Sequence, residues 1–312
     1  MNDYIQGSFW GAAVGDALGG ALENMSGEEI YNRYGTVTEI LGGGWLDLHP
    51  GEYTDDTQMI IMVAEGILAN PVYPIEEIGR RFLRWYYSNP RDIGTTTKRS
   101  FENYLRCGSW QEAARMTAKS LNKLDSNGAL MRTLPVTFAY WNTPRDMAYW
   151  SVDIASMTHQ SRESSASCIF YNYLVGKAVC EKGNKRELFT NALRFTDEQC
   201  ARLDINPKGF FWYVVKAVQS GAAKIIPEGK ALDTLGATLQ CFLQTDTFEE
   251  ALVRVINLGG DTDTAGNVMG GLAGAYYGYE AIPERWLSTL RGKERIVGVA
   301  DAFSAKFTRN FV

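Results

Sequence analysis

The segment Asn257-Leu258-Gly259-Gly260-Asp261-Thr262-Asp263-Thr264-Ala265-Gly266-Asn267, continued by Val268-Met269-Gly270-Gly271-Leu272-Ala273-Gly274-Ala275-Tyr276-Tyr277-Gly278, decides how this chain is read. It sets two carboxylates and two hydroxyls at the mouth of a helix-like run. No acidic or basic residue follows Thr264 until Glu280. Gly266, Gly270, Gly274 and Gly278 recur every four residues, which in a helix lines them up on one side as a ridge without side chains. Each interior glycine costs a helix roughly 1 kcal/mol relative to alanine, so a ridge of them predicts a second backbone packed very close.

Residues 5–22 repeat the pattern, with Gly7, Gly11, Gly15 and Gly19 again four apart, Asp16 beside the ridge and Glu23 just beyond. The expectation is that the two ridges pack on each other and bring Asp16 and Asp261 into one neighbourhood. Between them, Gly42-Gly43-Gly44 and His49-Pro50-Gly51 mark a loop. It is followed by Tyr53-Thr54-Asp55-Asp56-Thr57-Gln58 and then Met59, Met62, Val63 and Ile67 at helical spacing, so Thr54 reads as an N-cap with two acids in the first turn.

Further helices are expected at about 75–87, 96–105, 110–121, 144–157, 162–181, 185–201, 208–220, 230–243, 247–257 and 293–306. Two polar turns, Ser88 to Thr95 and Asp125 to Arg132, run into helices. Period-two alternation is rare, and no shift of composition marks a second domain. The expected fold is all-α, a single compact multi-helix domain over residues 1–312.

A chain of 312 residues with 45% hydrophobic and 21% charged residues can bury a large core. Its formal net charge of -5 offers no broad basic surface for a phosphate backbone, which excludes nucleic acid as the expected partner while leaving room for a local anion pocket. The five cysteines are odd in number, widely spaced and lack a Cys-x-x-Cys pair. Neither a disulfide framework nor a zinc site is indicated, and a reducing cytoplasm is the expected location. The start, Met1-Asn2-Asp3-Tyr4, lacks a signal-peptide pattern, and Asp261, Asp263 and Asn267 interrupt the glycine-rich run too early for a membrane span.

Capping explains Thr54-Asp55-Asp56-Thr57 as well as ligation does, because both use the same residue types. Asp261-Thr262-Asp263-Thr264 is harder to explain by capping, since one cap needs one side chain and four oxygen-bearing residues stand in a row. With Asp16 and Glu23 nearby, the motifs bring together carboxylates with no cationic cluster to neutralise them, and that repulsion implies bound cations or raised pKa values. Oxygen ligands without cysteine or paired histidine favour a hard ion, Mg²⁺ or Mn²⁺ ahead of Ca²⁺. Elsewhere bland readings compete: Asp92 starts a helix, Asn127-Gly128 is an ordinary turn, and a lone histidine such as His159 is more often structural. No Gly-x-Ser-x-Gly, Walker or Rossmann fingerprint is present.

Taken together, the motifs resemble the ADP-ribosylglycohydrolase family. The matching pieces are Gly11 to Gly19 with Glu23, Thr54-Asp55-Asp56-Thr57, Asp92-Ile93-Gly94, Ser126-Asn127-Gly128-Ala129 with Met131-Arg132, Thr158-His159, and Gly259 to Thr264. They stand in the family's order and span most of the chain. The resemblance implies an all-helical fold with two divalent cations, Mg²⁺ or Mn²⁺, at the base of a cleft for ADP-ribose. Carried over residue by residue, it implies Thr54, Asp55, Asp56, Asp261, Asp263 and Thr264 as metal ligands. It also implies Asp92 and Glu23 as candidates for proton transfer, with Asp56 and Asp261 among the catalytic acids. Asp92, Asn127, Gly128, Ala129 and His159 would contact the substrate.

The implied activity is hydrolysis of the N-glycosidic bond between ADP-ribose and a modified protein side chain, arginine first, with ADP-ribose as product and the chain acting as a monomer. Two alternatives stay open. One is a hydrolase of serine-linked or small-molecule ADP-ribose. The other is a non-catalytic or dual-role binder, such as an immunity protein that blocks an ADP-ribosyltransferase partner.

Overall fold

A computed structural model describes residues 1–121, 125–207, 209–221 and 224–311. Among these residues the chain forms sixteen α-helices and no strand, with isolated bridges alone at Ser26–Gly259, Gly43–Leu48 and Ser126–Lys230. The helices are α1 (Asn2–Gly19), α2 (Gly27–Tyr34), α3 (Asp55–Ala69), α4 (Ile75–Tyr87), α5 (Thr95–Cys107), α6 (Trp110–Leu121), α7 (Leu134–Tyr140) and α8 (Pro144–Ser156). They continue with α9 (Arg162–Cys180), α10 (Lys185–Arg202), α11 (Phe210–Ser220), α12 (Ala231–Leu243), α13 (Phe248–Ile256), α14 (Thr262–Tyr277), α15 (Glu284–Thr289) and α16 (Lys293–Phe307). The all-α expectation holds, and none of the described helices is long and apolar enough to cross a membrane.

The centre is the antiparallel pair α1 and α14. Every residue of α14 from Thr262 to Ala275 is buried, as are those of α1 from Gly7 to Gly19. A helix enclosed on all sides cannot be amphipathic, which is why both sequences are small and apolar all round. The ridges meet in register: Gly7 faces Gly274, Gly11 faces Gly270, Gly15 faces Gly266 and Gly19 faces Thr262. A Cβ added to Gly11 would lie 2.3 Å from the Gly270 carbonyl oxygen, and one added to Gly270 would lie 1.9 Å from that of Gly11. No side chain fits between the backbones, and the Cα–H groups of one helix lie against carbonyls of the other. Gly278 departs from the expected ridge, because it is the C-cap of α14 with φ +91° and lies outside the helix. Lys182 closes this end by donating to the Ala275 and Tyr276 carbonyls, a cation at a helix C-terminus.

Around the pair, α9, α12 and α13 pack on α14, while α16 and α3 pack on α1. The expected helices appear within a residue or two of their predicted ends, apart from the first, which runs Asn2–Gly19 and hands on to a 3-10 turn at Gly20–Leu22. The expected start of α11 at residue 208 lies outside the described residues. Three helices were not anticipated: α2, α7 and α15. All are short, six to eight residues, with too few turns to show a period. Yet α2 carries a capping box, with the Ser26 hydroxyl accepting from the Glu29 N–H and the Glu29 carboxylate accepting from the Ser26 N–H.

The ridge predicts a sharp contrast between glycines. Gly270→Ala should destabilise the protein by about 3 kcal/mol or more, since the added methyl can be accommodated only by separating two backbones. Gly298→Ala, in α16 where nothing lies within 4 Å of the new methyl, should be neutral or stabilise by about 0.5–1 kcal/mol. Urea unfolding of both variants checks this, and equal effects would remove the argument for a close-packed ridge.

Candidate functional site

Three helices, α3, α5 and α14, begin at one cleft of about 250 Å³, and the 3-10 turn Asn127–Ala129 forms part of its wall. Each helix start presents unpaired backbone N–H groups and the positive end of a helix dipole. The cleft is nevertheless lined by acids: Glu23, Asp55, Asp56, Asp92, Asp261 and Asp263. No lysine or arginine is among its lining residues.

The acids are held there by the backbone around them. Thr54 is the N-cap of α3, its hydroxyl accepting from the Asp56 N–H, which directs Asp55 and Asp56 inward. Asp16, fully buried on α1, fixes the same turn: its Oδ1 accepts from the Thr54 N–H at 2.9 Å, and its Oδ2 accepts from the Thr57 N–H at 3.0 Å and the Thr57 hydroxyl at 2.5 Å. Asp16 therefore reaches the acid cluster as expected, but with both oxygens already engaged. Asp55 accepts from the Gly94 N–H and so ties down the turn that carries Asp92.

On the opposite wall, Gly259 and Gly260 take φ +80° and +83°, a left-handed pair that turns the chain into α14. A Cβ on Gly260 would meet the Pro227 oxygen at 2.3 Å, so this turn is sterically closed to larger residues. The Gly260 N–H donates to the Met25 carbonyl and its carbonyl accepts from the Asn24 N–H, which clamps the Glu23 loop to the Asp261 loop. Asp261 follows as the N-cap of α14, its own N–H donating to Pro227. Asn127 donates one amide hydrogen to Asp261 Oδ2 and the other to Thr234, both at 2.9 Å.

Two carboxylate oxygens at the centre, Asp56 Oδ1 and Asp261 Oδ1, are buried and have no hydrogen-bond partner among the described residues. Oxygens of Glu23, Asp92 and Asp263 lie within 4.8 Å of one another. Burial, and then the charge of Asp92, pushes Asp55 well above the usual carboxylate range. Burial does the same for Asp56, reinforced by Asp16, and for Asp263, reinforced by Glu23. Glu23 is raised to about 7 and Asp16 to about 6, again chiefly by burial. An all-oxygen donor set with orphaned lone pairs and no internal counter-charge fits hard divalent cations.

Of the residues expected to contact substrate, Asp92, Asn127, Gly128 and His159 line the cleft. Ala129 does not: its side chain is buried in the core. Thr264 lines the cleft, whereas Thr54 lines a neighbouring cavity. His159 is buried, with Nε2 2.8 Å from the Ser126 hydroxyl and Nδ1 2.7 Å from the Thr158 hydroxyl. Burial and the nearby Arg132 depress it to about 3, so the imidazole is neutral. The Thr158 hydroxyl accepts from Arg132 and can turn its proton to Nδ1, which leaves the Nε2–H to donate to Ser126. Arg132 also donates to the Gly128 carbonyl, which locks the turn from behind.

Trp45 was not anticipated. It is 57% exposed and its indole N–H donates to Glu23 Oε2 at 2.5 Å. Its one sequence signal is its place after Gly42-Gly43-Gly44, which says turn but not contact. Thr95, Thr96 and Thr97, which bring the first turn of α5 to the cleft, carry no site signal in the sequence: Thr95 ends the expected polar turn, and Thr96 and Thr97 open the expected helix.

These shifts have a sign. A carboxyl whose folded pKa is raised binds protons in the native state that the unfolded chain has released, so it contributes stability below the unfolded value that is lost as pH rises. For Asp16 the window runs from 3.8 to about 6, and for Glu23 from 4.5 to about 7. In chelator, the melting temperature should therefore fall as pH rises from about 4 to 7. A flat or rising profile would mean that the acids are solvated and not crowded.

The ADP-ribosylglycohydrolase family profile matches residues 1–311. The chain is 35% identical over 290 residues to an ADP-ribosyl-(dinitrogen reductase) glycohydrolase of Rhodospirillum rubrum, covering 93% of this chain and 91% of that protein. It is 32% identical over 312 residues to the ADP-ribosylarginine hydrolase Tri1 of Serratia proteamaculans, covering 96% of this chain and 78% of that one. A solved structure described as an ADP-ribosylglycohydrolase-related protein complex superposes with a TM-score of 0.79 at 32% identity, covering 100% of this chain and 99% of the other. With the fold, the motifs and these similarities in agreement, the chain belongs to the ADP-ribosylglycohydrolase family, enzymes that hydrolyse ADP-ribose linkages.

Proposed function

We propose that the protein is a dinuclear-metal-dependent hydrolase that releases ADP-ribose from modified arginine on a protein substrate, with residues 1–312 acting as one domain. The observation that carries this reading is the cluster of buried acids at the cleft, whose orphaned oxygens have no cationic partner among the described residues. Similarity to relatives named for ADP-ribosyl-dinitrogen reductase and for ADP-ribosylarginine favours arginine over serine-linked or small-molecule ADP-ribose.

Asp55, Asp56, Asp261 and Asp263 would hold two ions, Mg²⁺ or Mn²⁺, with the hydroxyl oxygens of Thr54 and Thr264. When bound, the ions supply positive charge that offsets the crowded acids and polarises the oxygens presented to them. The chain's own groups account for the rest. The first turn of α5 and the Gly128 turn line the cleft, and the free N–H groups of such a helix start would suit a diphosphate, which is how a chain of net negative charge would bind an anion. Arg132 and His159 stiffen that turn through Gly128 and Ser126. Cleavage passes through a sugar cation, which the surrounding carboxylates stabilise. Asp92 or Glu23 moves the proton, since both reach the centre without being buried completely and both hold protons above the usual carboxylate range.

The test is Asp261→Ala combined with Asp263→Ala, assayed with Mn²⁺ on arginine-ADP-ribosylated protein. Release of ADP-ribose should fall by at least about 10³-fold, and calorimetric Mn²⁺ binding should disappear while the far-ultraviolet helical signal persists. Wild-type protein that releases nothing at any Mn²⁺ concentration would remove the arginine reading. Protection against an ADP-ribosyltransferase that survives the double change would point to binding instead of hydrolysis.

A further inference from the structure

At the far end of α5 from the acid cleft lies another cavity, of about 410 Å³, whose walls are largely aromatic. Thr95, the first residue of α5, lines the cleft, while Gly108, just past its last residue Cys107, lines this cavity. The 13 residues of that helix put about 20 Å between the two. The other walls are Tyr73 in the loop before α4, Trp110 at the start of α6, and Tyr149 and Trp150 on α8.

The rings are held in place by the structure around them. Asn70 Oδ1 accepts from the Val72 and Tyr73 N–H groups, and the Tyr140 hydroxyl donates to the Pro71 carbonyl, which fixes the loop that carries Tyr73. Trp110 is stacked on Tyr104 with centroids 3.8 Å apart, and Trp150 on Tyr140 with centroids 5.9 Å apart. Tyr149 stands at 79° to Trp150 with centroids 4.9 Å apart, so two ring planes meet nearly at a right angle. Tyr73 is nevertheless 72% exposed and Tyr149 47% exposed, an aromatic surface that the chain itself leaves open.

The charge at the cavity has one sign. Glu76 and Asp153 line it, and no lysine or arginine does. Asp153 accepts from the Gln111 side chain and is raised above the usual carboxylate range by burial. Neither acid forms an ion pair among the described residues. Asp153 stands one helical turn from Tyr149, on the same face of α8. Among the described residues, the rings that a lysine or arginine covers all lie elsewhere. Aromatic faces attract cations, and the carboxylates supply the counter-charge. An anion would be repelled here, and a neutral apolar ligand would desolvate the acids without pairing them.

We propose that this cavity binds an organic ammonium ion, its charged head in the angle between Tyr149 and Trp150 beside Asp153. A free amine and the lysine side chain of a bound peptide both carry that head, and the chemistry recognised is the same. The site is separate from the acid cleft and stands whether or not the hydrolase reading does.

The experiment is calorimetric titration of the whole chain with two ammonium probes, choline and N-acetyl-lysine amide, each beside a neutral counterpart of the same shape with carbon in place of the charged nitrogen. The tighter ammonium probe should bind at least about tenfold more strongly than its neutral counterpart. Tyr149→Leu should weaken it at least about tenfold and Asp153→Asn at least about threefold, whereas Tyr149→Trp should keep or improve the affinity, a result that a damaged fold cannot give. Tighter binding of choline assigns the site to free amines, and tighter binding of the lysine amide assigns it to a peptide. Equal binding of the charged and neutral probes, no saturable heat with either ammonium probe, or unchanged affinity in Tyr149→Leu would overturn the proposal.

Discussion

The contact between the backbones of α1 and α14 is the constraint on which the site depends. Glycines facing glycines let two helices approach closer than any pair of side chains allows, and the acids at the Gly19–Thr262 end of that contact are carried along. Asp16 leaves α1 near its C-terminus, where α14 begins with Thr262, whose hydroxyl donates to the Gly19 carbonyl. A helix with a glycine every fourth residue is a poor helix in isolation. Here its stability comes from close packing and complete enclosure, so the feature that weakens it locally is what makes it a precise mount.

Electrostatics works against the same arrangement. Burying several carboxylates together is unfavourable unless protons or cations accompany them, and the raised pKa values of Asp16, Glu23, Asp55, Asp56 and Asp263 express that strain in proton occupancy. Converging helix starts moderate it, whereas Asp16 adds to it, its own carboxylate being held in place by three donors of the α3 start. What remains unsatisfied, at Asp56 Oδ1 and Asp261 Oδ1, marks where the protein leaves room for charge from outside. The cost is local to the cleft and is relieved when charge of the opposite sign binds there.

The long helices were legible in the sequence because periodic apolar residues and caps recur over several turns, as in Arg162–Cys180 and Lys293–Phe307. The pairing of the glycine ridges was also legible, since a repeated spacing of four has one economical explanation. Gly278 was misread as part of the ridge because spacing cannot distinguish a helical glycine from a left-handed cap. The helix Gly27–Tyr34 announced itself through Ser26 and Glu29, a signal passed over because the helix was too short to show a period.

The sequence by itself determined the all-α class, the cap at Thr54, the acidic helix mouth at Asp261, and the set of acids able to meet at one place, because these follow from local spacing and from residue chemistry. It could not determine which oxygens would be free. Asp16 and Asp56 are the same residue type on similar helices, yet one is saturated by three donors and the other retains an unpartnered oxygen. Nor could it reveal Trp45 against Glu23, Ala129 turned into the core, or an aromatic cavity assembled from Tyr73, Trp110, Tyr149 and Trp150. Those depend on contacts between segments far apart in the chain, and only the tertiary structure decides which distant groups meet.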